Sequence, residues 1–273
     1  MRLAGFPCAA NPSLGGNADA SLWTTQLPSC YATLLILLVL VAVALYAVYR
    51  DYLSFINLGP GGTPSNFYGY LRVSFLKFFA LRNPYLPSTL PIVAWPEVGF
   101  LPNDLLNLPH RAGIRPQVTG IAPHRQTTQQ GSPTSFSALV ERIRALQAVN
   151  PASLRLGTSC FEKHGTGLFA VVPVNRTCSG EVCHAHASDG SLHMTLHPAD
   201  ARIVLERGWG ERHPLANGGW LTRFVPMGFV MIYAPRTPAE LEVVMHIVHA
   251  ATWWVSGRTL RLRSVAMASS KGV

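Results

Sequence analysis

Residues Glu181 to Pro214 read EVCHAHASDGSLHMTLHPADARIVLERGWGERHP. Four of the ten histidines in the chain lie between His184 and His197, and a fifth, His213, closes the stretch. Asp189-Gly190 is the signature of a two-residue type I′ hairpin, a turn whose two central positions both need positive φ. Folding the chain about that dipeptide sets His186 opposite His193 and His184 opposite Thr195. Side chains alternate faces along a strand, and opposed residues share a face. One face then carries His184, His186, His193, Thr195 and His197. The other carries Cys183, Ala185, Ala187, Leu192, Met194 and Leu196. The apolar face belongs against a core; the imidazole face belongs against water, a metal or a substrate.

Downstream, Pro198 suits the first position of a short helix over Ala199–Arg207, and Gly208 suits its C′ stop. Trp209, Arg212 and His213 follow on a stretch rich in Gly and Pro, which reads as a turn that swings them toward the histidines. Further strands are predicted at Leu154–Ser159, Leu168–Val174, Val182–Ala187, Leu192–His197 and Phe229–Tyr233. Helical spacing of Phe136, Leu139, Val140, Ile143 and Leu146 predicts a core-facing helix over 135–149. Thr237-Pro-Ala-Glu240 is a capping box with Pro at the first helical position, opening a helix to about Val255 with Leu241, Val244, Met245 and Val248 as its core stripe. His246 and His249 fall on another stripe as ordinary boundary residues. Helices bracketing antiparallel strands make this an α+β domain.

Ahead of that domain, Cys30 to Tyr49 is free of charge. Twenty helical residues rise about 30 Å, enough to cross the hydrocarbon core. Tyr31, Tyr46 and Tyr49 sit near its ends, where aromatic belts lie. The expected organisation is a disordered tail (1–29), a single-pass transmembrane helix (30–49), a globular domain (50–256) and a C-terminal tail (257–273). Within the domain, residues 83–134 hold nine prolines and are expected to wrap the core in extended form. Phe67 to Leu81 suits either a helix lying on the membrane or a core element. LPHRAGIRP (108–116) and PHRQ (123–126) each pair a His with an Arg, and read first as solvated loops.

Lys and Arg total 22 against 13 Asp and Glu, a net charge of +9, yet only 13% of residues are charged. The excess comes from scarce acids, and no Lys/Arg run resembles a nucleic-acid arm. An anionic membrane surface is the simpler partner. Arg50, Arg72, Lys77 and Arg82 follow the span and only Arg2 precedes it, which favours a cytosolic C-terminal domain, with the endoplasmic reticulum as the expected membrane. The five cysteines (8, 30, 160, 178 and 183) form no CxxC pair, which excludes a zinc ribbon. They read as free thiols in a reducing compartment, with Cys178–Cys183 able to bridge if the domain is exported. Asn175-Arg176-Thr177 is a glycosylation sequon, usable only on a lumenal domain.

Several separate stretches line up with one family. RDYxxFxxxGP with PxNFxGY (Arg50–Tyr70), LPHRAGIRP, HAH followed by SLH, GWGERHPLA (Gly208–Ala216) and IYAPR (Ile232–Arg236) resemble the fungal luciferase family, in order, from about Arg50 to Val255. The chain departs from that pattern in its N-terminal tail, in Asn83–Pro102 and in the spacing near Asp189-Gly190. The resemblance implies an oxygenase acting on 3-hydroxyhispidin, an aromatic styryl α-pyrone. O2 adds, a strained peroxide loses CO2, and the excited product emits light. No metal or organic cofactor is implied; O2 is the co-substrate.

The residues suit that chemistry. Forming an enolate needs a base, and imidazole is suited to the task near neutral pH. His184, His186 and His193 are the candidates. A peroxide anion needs fixed positive charge, for which Arg212 with His213 is the candidate. Trp209 would stack on a flat ligand, and Thr195 and His197 would line the substrate site. Two other readings of the histidine face stand beside this one. His184, His186 and His193 form a facial set for a transition metal, or the imidazoles form a structural network. Neither Glu181 nor Asp189, the nearest carboxylates, is placed in the cluster by spacing. A non-enzymatic alternative is a membrane-tethered module that binds a small aromatic or lipid ligand. The oligomeric state is not encoded legibly.

Overall fold

The computed structural model describes residues 21–88, 96–103, 108–175 and 177–260. Residues 1–20 of the tail expected over 1–29, the last residues from 261 on, and parts of the proline-rich stretch (89–95 and 104–107) lie outside them; residues 21–29 of that tail are helical rather than disordered. The chain divides into two units, Met1–Asp51 and Tyr52–Val273. Helix α1 (Ser21–Asn57) begins in the first and ends in the second. It reaches further at both ends than the uncharged segment 30–49. Arg50-Asp51 does not stop it; the helix ends where Gly59 takes a positive φ of 77° ahead of Pro60. Tyr31–Asn57 is long and apolar enough to cross a membrane, and none of its apolar window is buried.

In the second unit the structure is α+β, as the sequence leads one to expect. Six antiparallel strands form one sheet: β3 (Leu154–Thr158), β4 (Thr166–Ala170), β5 (Glu181–Ala185), β6 (Leu192–Thr195), β7 (Gly210–Arg212) and β8 (Phe229–Ile232). Their spatial order is β3-β4-β5-β6-β8-β7. The first four form a meander. Helix α4 (Pro198–Glu206) then carries the chain to the edge strand β7, and β8 returns between β6 and β7.

One face of the sheet is covered by α3 (Pro133–Val149) and α5 (Pro238–Ser256). Both start where the side-chain chemistry says they should. Ser132 accepts a hydrogen bond from the Ser135 amide and Thr237 from the Glu240 amide, with Pro at the first helical position in each. Leu139, Ile143 and Leu146 from α3 and Val244, Met245 and Val248 from α5 meet Leu154, Leu168, Cys183, Leu192, Met194, Val230 and Ile232 in one core. His246 and His249 are half-buried beside it.

The opposite face is covered differently. A hairpin of β1 (Val118–Gly120) and β2 (His124–Gln126) and the helix α2 (Phe67–Leu76) bring Tyr70, Val73 and Ile121 against Leu215, Val225 and Phe229. The core-element reading of Phe67–Leu81 holds for one side of α2. Gly69, Tyr70 and Val73 face the protein, while Phe67, Tyr68, Leu71 and Phe75 are exposed. Strands β1 and β2 interrupt the proline-rich segment and β7 replaces the turn expected after Gly208; three-residue strands carry too few residues to show a period.

Two expectations are corrected. The β5–β6 turn is not a two-residue hairpin. His184 lies opposite His193 and Ala185 opposite Leu192, so the turn contains residues 187–190. Asp189 is buried and its Oδ1 accepts the Ser191 amide and hydroxyl, which holds the longer turn. Gly190 closes it at φ 78°, in contact with the backbone of Gly131. The slip is two residues, so the faces are those expected. Second, the cysteines are not all free. Cys160 and Cys178 form a disulfide, and Cys183, in the core, is the free one among the described residues. Burial pushes the Cys183 thiol pKa up, so it is inert. The Asn175 side-chain amide of the sequon donates to the Trp254 carbonyl at 2.5 Å. Counting thiols with a maleimide on the denatured chain should find two more after reduction than before; equal counts would mean that Cys160 and Cys178 are not joined.

Candidate functional site

The histidine face of β5 and β6 is buried. His184, His186 and His193 are each 3% exposed or less. Two residues join them from elsewhere. His124 comes from β2, and its ring lies 5.3 Å from that of His193. His213 follows β7, 5.4 Å from His193 and 5.2 Å from His124. Phe229 stacks on His193 at 5.1 Å, and Phe161 packs on Phe229 at 4.4 Å. These two rings close the cluster from the apolar side.

Carboxylates stand behind the imidazoles. Glu181 takes a hydrogen bond from His184 Nδ1 at 2.6 Å, together with the Ser159 hydroxyl and the Cys160 amide. Strict alternation would put Glu181 on the other face from His184. A bulge at Val182, where Leu168 pairs Cys183 but Phe169 pairs Glu181, turns Val182 and Cys183 both into the core and brings Glu181 round to His184. His186 Nδ1 donates to Ser191 Oγ at 2.9 Å, because that hydroxyl is itself donating to Asp189 Oδ1 at 2.6 Å. His186 Nε2 faces His193 Nδ1 at 3.0 Å, and His193 Nε2 faces His124 Nδ1 at 3.0 Å. His124 Nε2 ends the run 3.5 Å from Glu211 Oε1, and Tyr233 donates to the other oxygen of Glu211 at 3.0 Å. Glu162, gripped by both terminal nitrogens of Arg125, places Oε1 3.5 Å from His186 Nε2.

The expected site residues divide. His184, His186 and His193 converge. His213 lies in the cluster, but both its nitrogens are committed: Nε2 donates to the Ile121 carbonyl at 3.0 Å and Nδ1 accepts from the Leu215 amide at 3.2 Å. Thr195 is on the face with a buried hydroxyl that has no partner among the described residues. Arg212 is not on the face. It pairs with Val230, which pairs with the core residue Met194, so alternation carries Arg212 to the other side and brings Glu211 to the histidines. The Arg212 guanidinium donates to the Ala216 carbonyl, and burial lowers its pKa. Trp209 is a core residue, 2% exposed, whose indole N–H donates to the Pro109 carbonyl at 2.6 Å; it offers no stacking surface. His197 caps α4 through Nδ1, donates from Nε2 to Pro96, and sets its ring against Trp254 at 4.8 Å. The residues missed by sequence reasoning are His124, Glu162, Ser191 and Glu211, and Glu181 and Asp189 were named without a place. PHRQ is no solvated loop: its His124 and Arg125 are both buried.

Burial dominates the electrostatics. Desolvation brings the His186 pKa down to about 4, with the Asp189 contact opposing it, and holds His193 and His213 well below the usual imidazole range. Burial pushes the Glu162 and Asp189 carboxyls up, but Arg125 for the first and His186 with Ser191 for the second outweigh it, and both stay below the ordinary range. Imidazoles of depressed basicity (His186, His193 and His213) beside the carboxylates of Glu162 and Asp189 can accept positive charge, take a proton from an acidic C–H or O–H, or ligate a cation.

A family model described as "Luciferase domain" matches residues 179–251, which hold β5, β6, α4, β7, β8 and most of α5. A protein named "Luciferase" from Neonothopanus nambi is 32% identical over 231 residues, covering 79% of this chain and 84% of that one. "Luciferase" proteins from Armillaria ostoyae and Armillaria mellea are each 33% identical, covering 79% and 76% of this chain and 84% and 81% of theirs. No solved structure matches.

His186, His193 and His213 have folded pKa values below the unfolded value, so the unfolded chain binds more protons as pH falls below about 6.5. Stability is therefore expected to be fullest above that pH and to fall between pH 6.5 and 4. A thermal melt series should show this, and His213→Gln should remove about one proton from the slope. A midpoint flat over that window would contradict neutral burial.

Proposed function

This chain belongs to the fungal luciferase family, and from that premise we propose that it is a membrane-anchored oxygenase. It oxidises an electron-rich aromatic α-pyrone of the 3-hydroxyhispidin class with O2, with loss of CO2 and emission of light. The observation that carries the reading is the convergence of His184, His186 and His193, inside the family-matched region, on a face backed by carboxylates. The substrate hydroxyl is a vinylogous acid. The imidazole face favours loss of its proton, and the resulting enolate gives up an electron pair to O2. Attack of the peroxide on the ring carbonyl and breakdown of the strained peroxide release CO2. Phe161 and Phe229 keep water from the excited product. Because the imidazoles are buried, substrate entry requires the covering layer of α2 and the loop before it to move.

Membrane attachment rests on α1, and the exposed aromatic residues of α2, with Phe78, Trp220 and Phe224, support a domain that also touches the bilayer surface. An apolar substrate would then be drawn from the lipid. The Cys160–Cys178 disulfide supports the oxidising, lumenal side of the endoplasmic reticulum, the reverse of what the charges after the span favour.

The test is O2 uptake and light from membranes carrying the full chain, supplied with 3-hydroxyhispidin. Uptake with light is expected, and His186→Ala should lower it by about 100-fold or more, the usual contribution of a positioned acid/base group. No uptake from folded protein would sink the reading.

A further inference from the structure

We propose that His184 Nε2, His186 Nε2 and His193 Nδ1 together ligate one divalent first-row transition-metal ion. The three ligand atoms lie within 4.8 Å of one another and all three residues are buried. The argument is one of hydrogen-bond accounting, worked from the carboxylates inward. Glu181 accepts from His184 Nδ1, so that nitrogen carries the proton and Nε2 a lone pair. Ser191 donates to Asp189 and therefore accepts from His186 Nδ1, which leaves a lone pair on His186 Nε2. With its proton toward Glu211, His124 accepts from His193 Nε2, which leaves a lone pair on His193 Nδ1. Three lone pairs thus sit on nitrogens within 4.8 Å of one another. Each ligand has an acceptor on its outer nitrogen, the arrangement that fixes the tautomer of metal-bound imidazoles.

A proton cannot complete this set. One proton shared between His186 Nε2 and His193 Nδ1, 3.0 Å apart, satisfies those two and leaves His184 Nε2 as it stands, buried and without a hydrogen-bond partner among the described residues. A metal ion satisfies all three. It also answers the charge. The ion-pair partners of Glu181, Asp189 and Glu211 among the described residues are imidazoles, whereas Glu162 has Arg125. A divalent ion held by the three imidazoles places positive charge beside these buried carboxyl groups. The second candidate group, His124, His193 and His213, fails because backbone groups already hold both nitrogens of His213. Three imidazoles suit zinc, iron, cobalt, nickel or copper rather than magnesium or calcium, and Glu162 flanks the set as a possible carboxylate ligand.

The inference stands on this geometry and does not need the oxygenase reading, because binding is read without substrate. The full chain, purified in detergent, is analysed for metal content and then, after chelation, titrated with Co(II) while its visible absorption is followed. We expect about one ion per chain and cobalt d–d bands that saturate near one equivalent. Both should be lost in His184→Ala and kept in His213→Gln, with circular dichroism reporting that each variant is folded. Folded wild-type protein that carries no metal and gives no cobalt bands would overturn the proposal. So would loss of metal with His213→Gln but not with His184→Ala. Metal binding without O2 uptake would retain this site and remove the function proposed above; uptake from protein that carries no metal and gives no cobalt bands would do the reverse.

Discussion

Everything around the histidines answers to one constraint, which is that charge has been placed where water is not. Glu181, Asp189 and Glu211 are each buried to 4% exposure or less, and each is met by an imidazole. Isolated carboxylates in such a place would be protonated or would unfold the domain. The fold avoids that by lining up donors that are themselves locked. Ser159 and the Cys160 amide serve Glu181, Ser191 and the Gln126 amide serve Asp189, and Tyr233 serves Glu211. A network of this kind is worth having only when its members are satisfied, which is why the buried, unpartnered His184 Nε2 is informative.

The sheet is therefore two structures back to back. Against α3 and α5 it is a conventional apolar interface, set by side-chain volume. Against the β1–β2 hairpin and α2 it is a polar interior, set by direction and proton inventory, with Phe161 and Phe229 as the boundary. The first gives the domain its stability. The second costs stability, and the depressed pKa values of His186, His193 and His213 record that cost.

How much of this the sequence displayed depends on parity. His184, His186 and His193 were legible as one face even though the turn was misjudged, since a slip of two residues leaves every side chain on its own side. Arg212 was misplaced by one residue, and there parity put Glu211 on the histidine face instead: a strand of three residues, read as a turn, gives no period from which to tell them apart. His124 is 69 residues from its partner His193, and only the folded chain brings it near. Trp209 and His197 looked functional because they are chemically versatile, but their polar atoms are spent on carbonyls and on a helix cap. Family resemblance pointed to the segment that holds the histidine cluster; it did not say which side of the strand each residue would take.

The bulge at Val182 has a meaning for anyone who would redesign this protein. It is a phase shift of one residue, spent to turn two neighbours into the core and return the chain in step for His184. Backbone idealisation, whether by consensus or by computation, treats such irregularities as noise to be smoothed. Removing one residue there would yield a straighter, better-paired strand, and it would also take Glu181 away from His184. In this domain the most regular β5 would be the one that had lost its purpose.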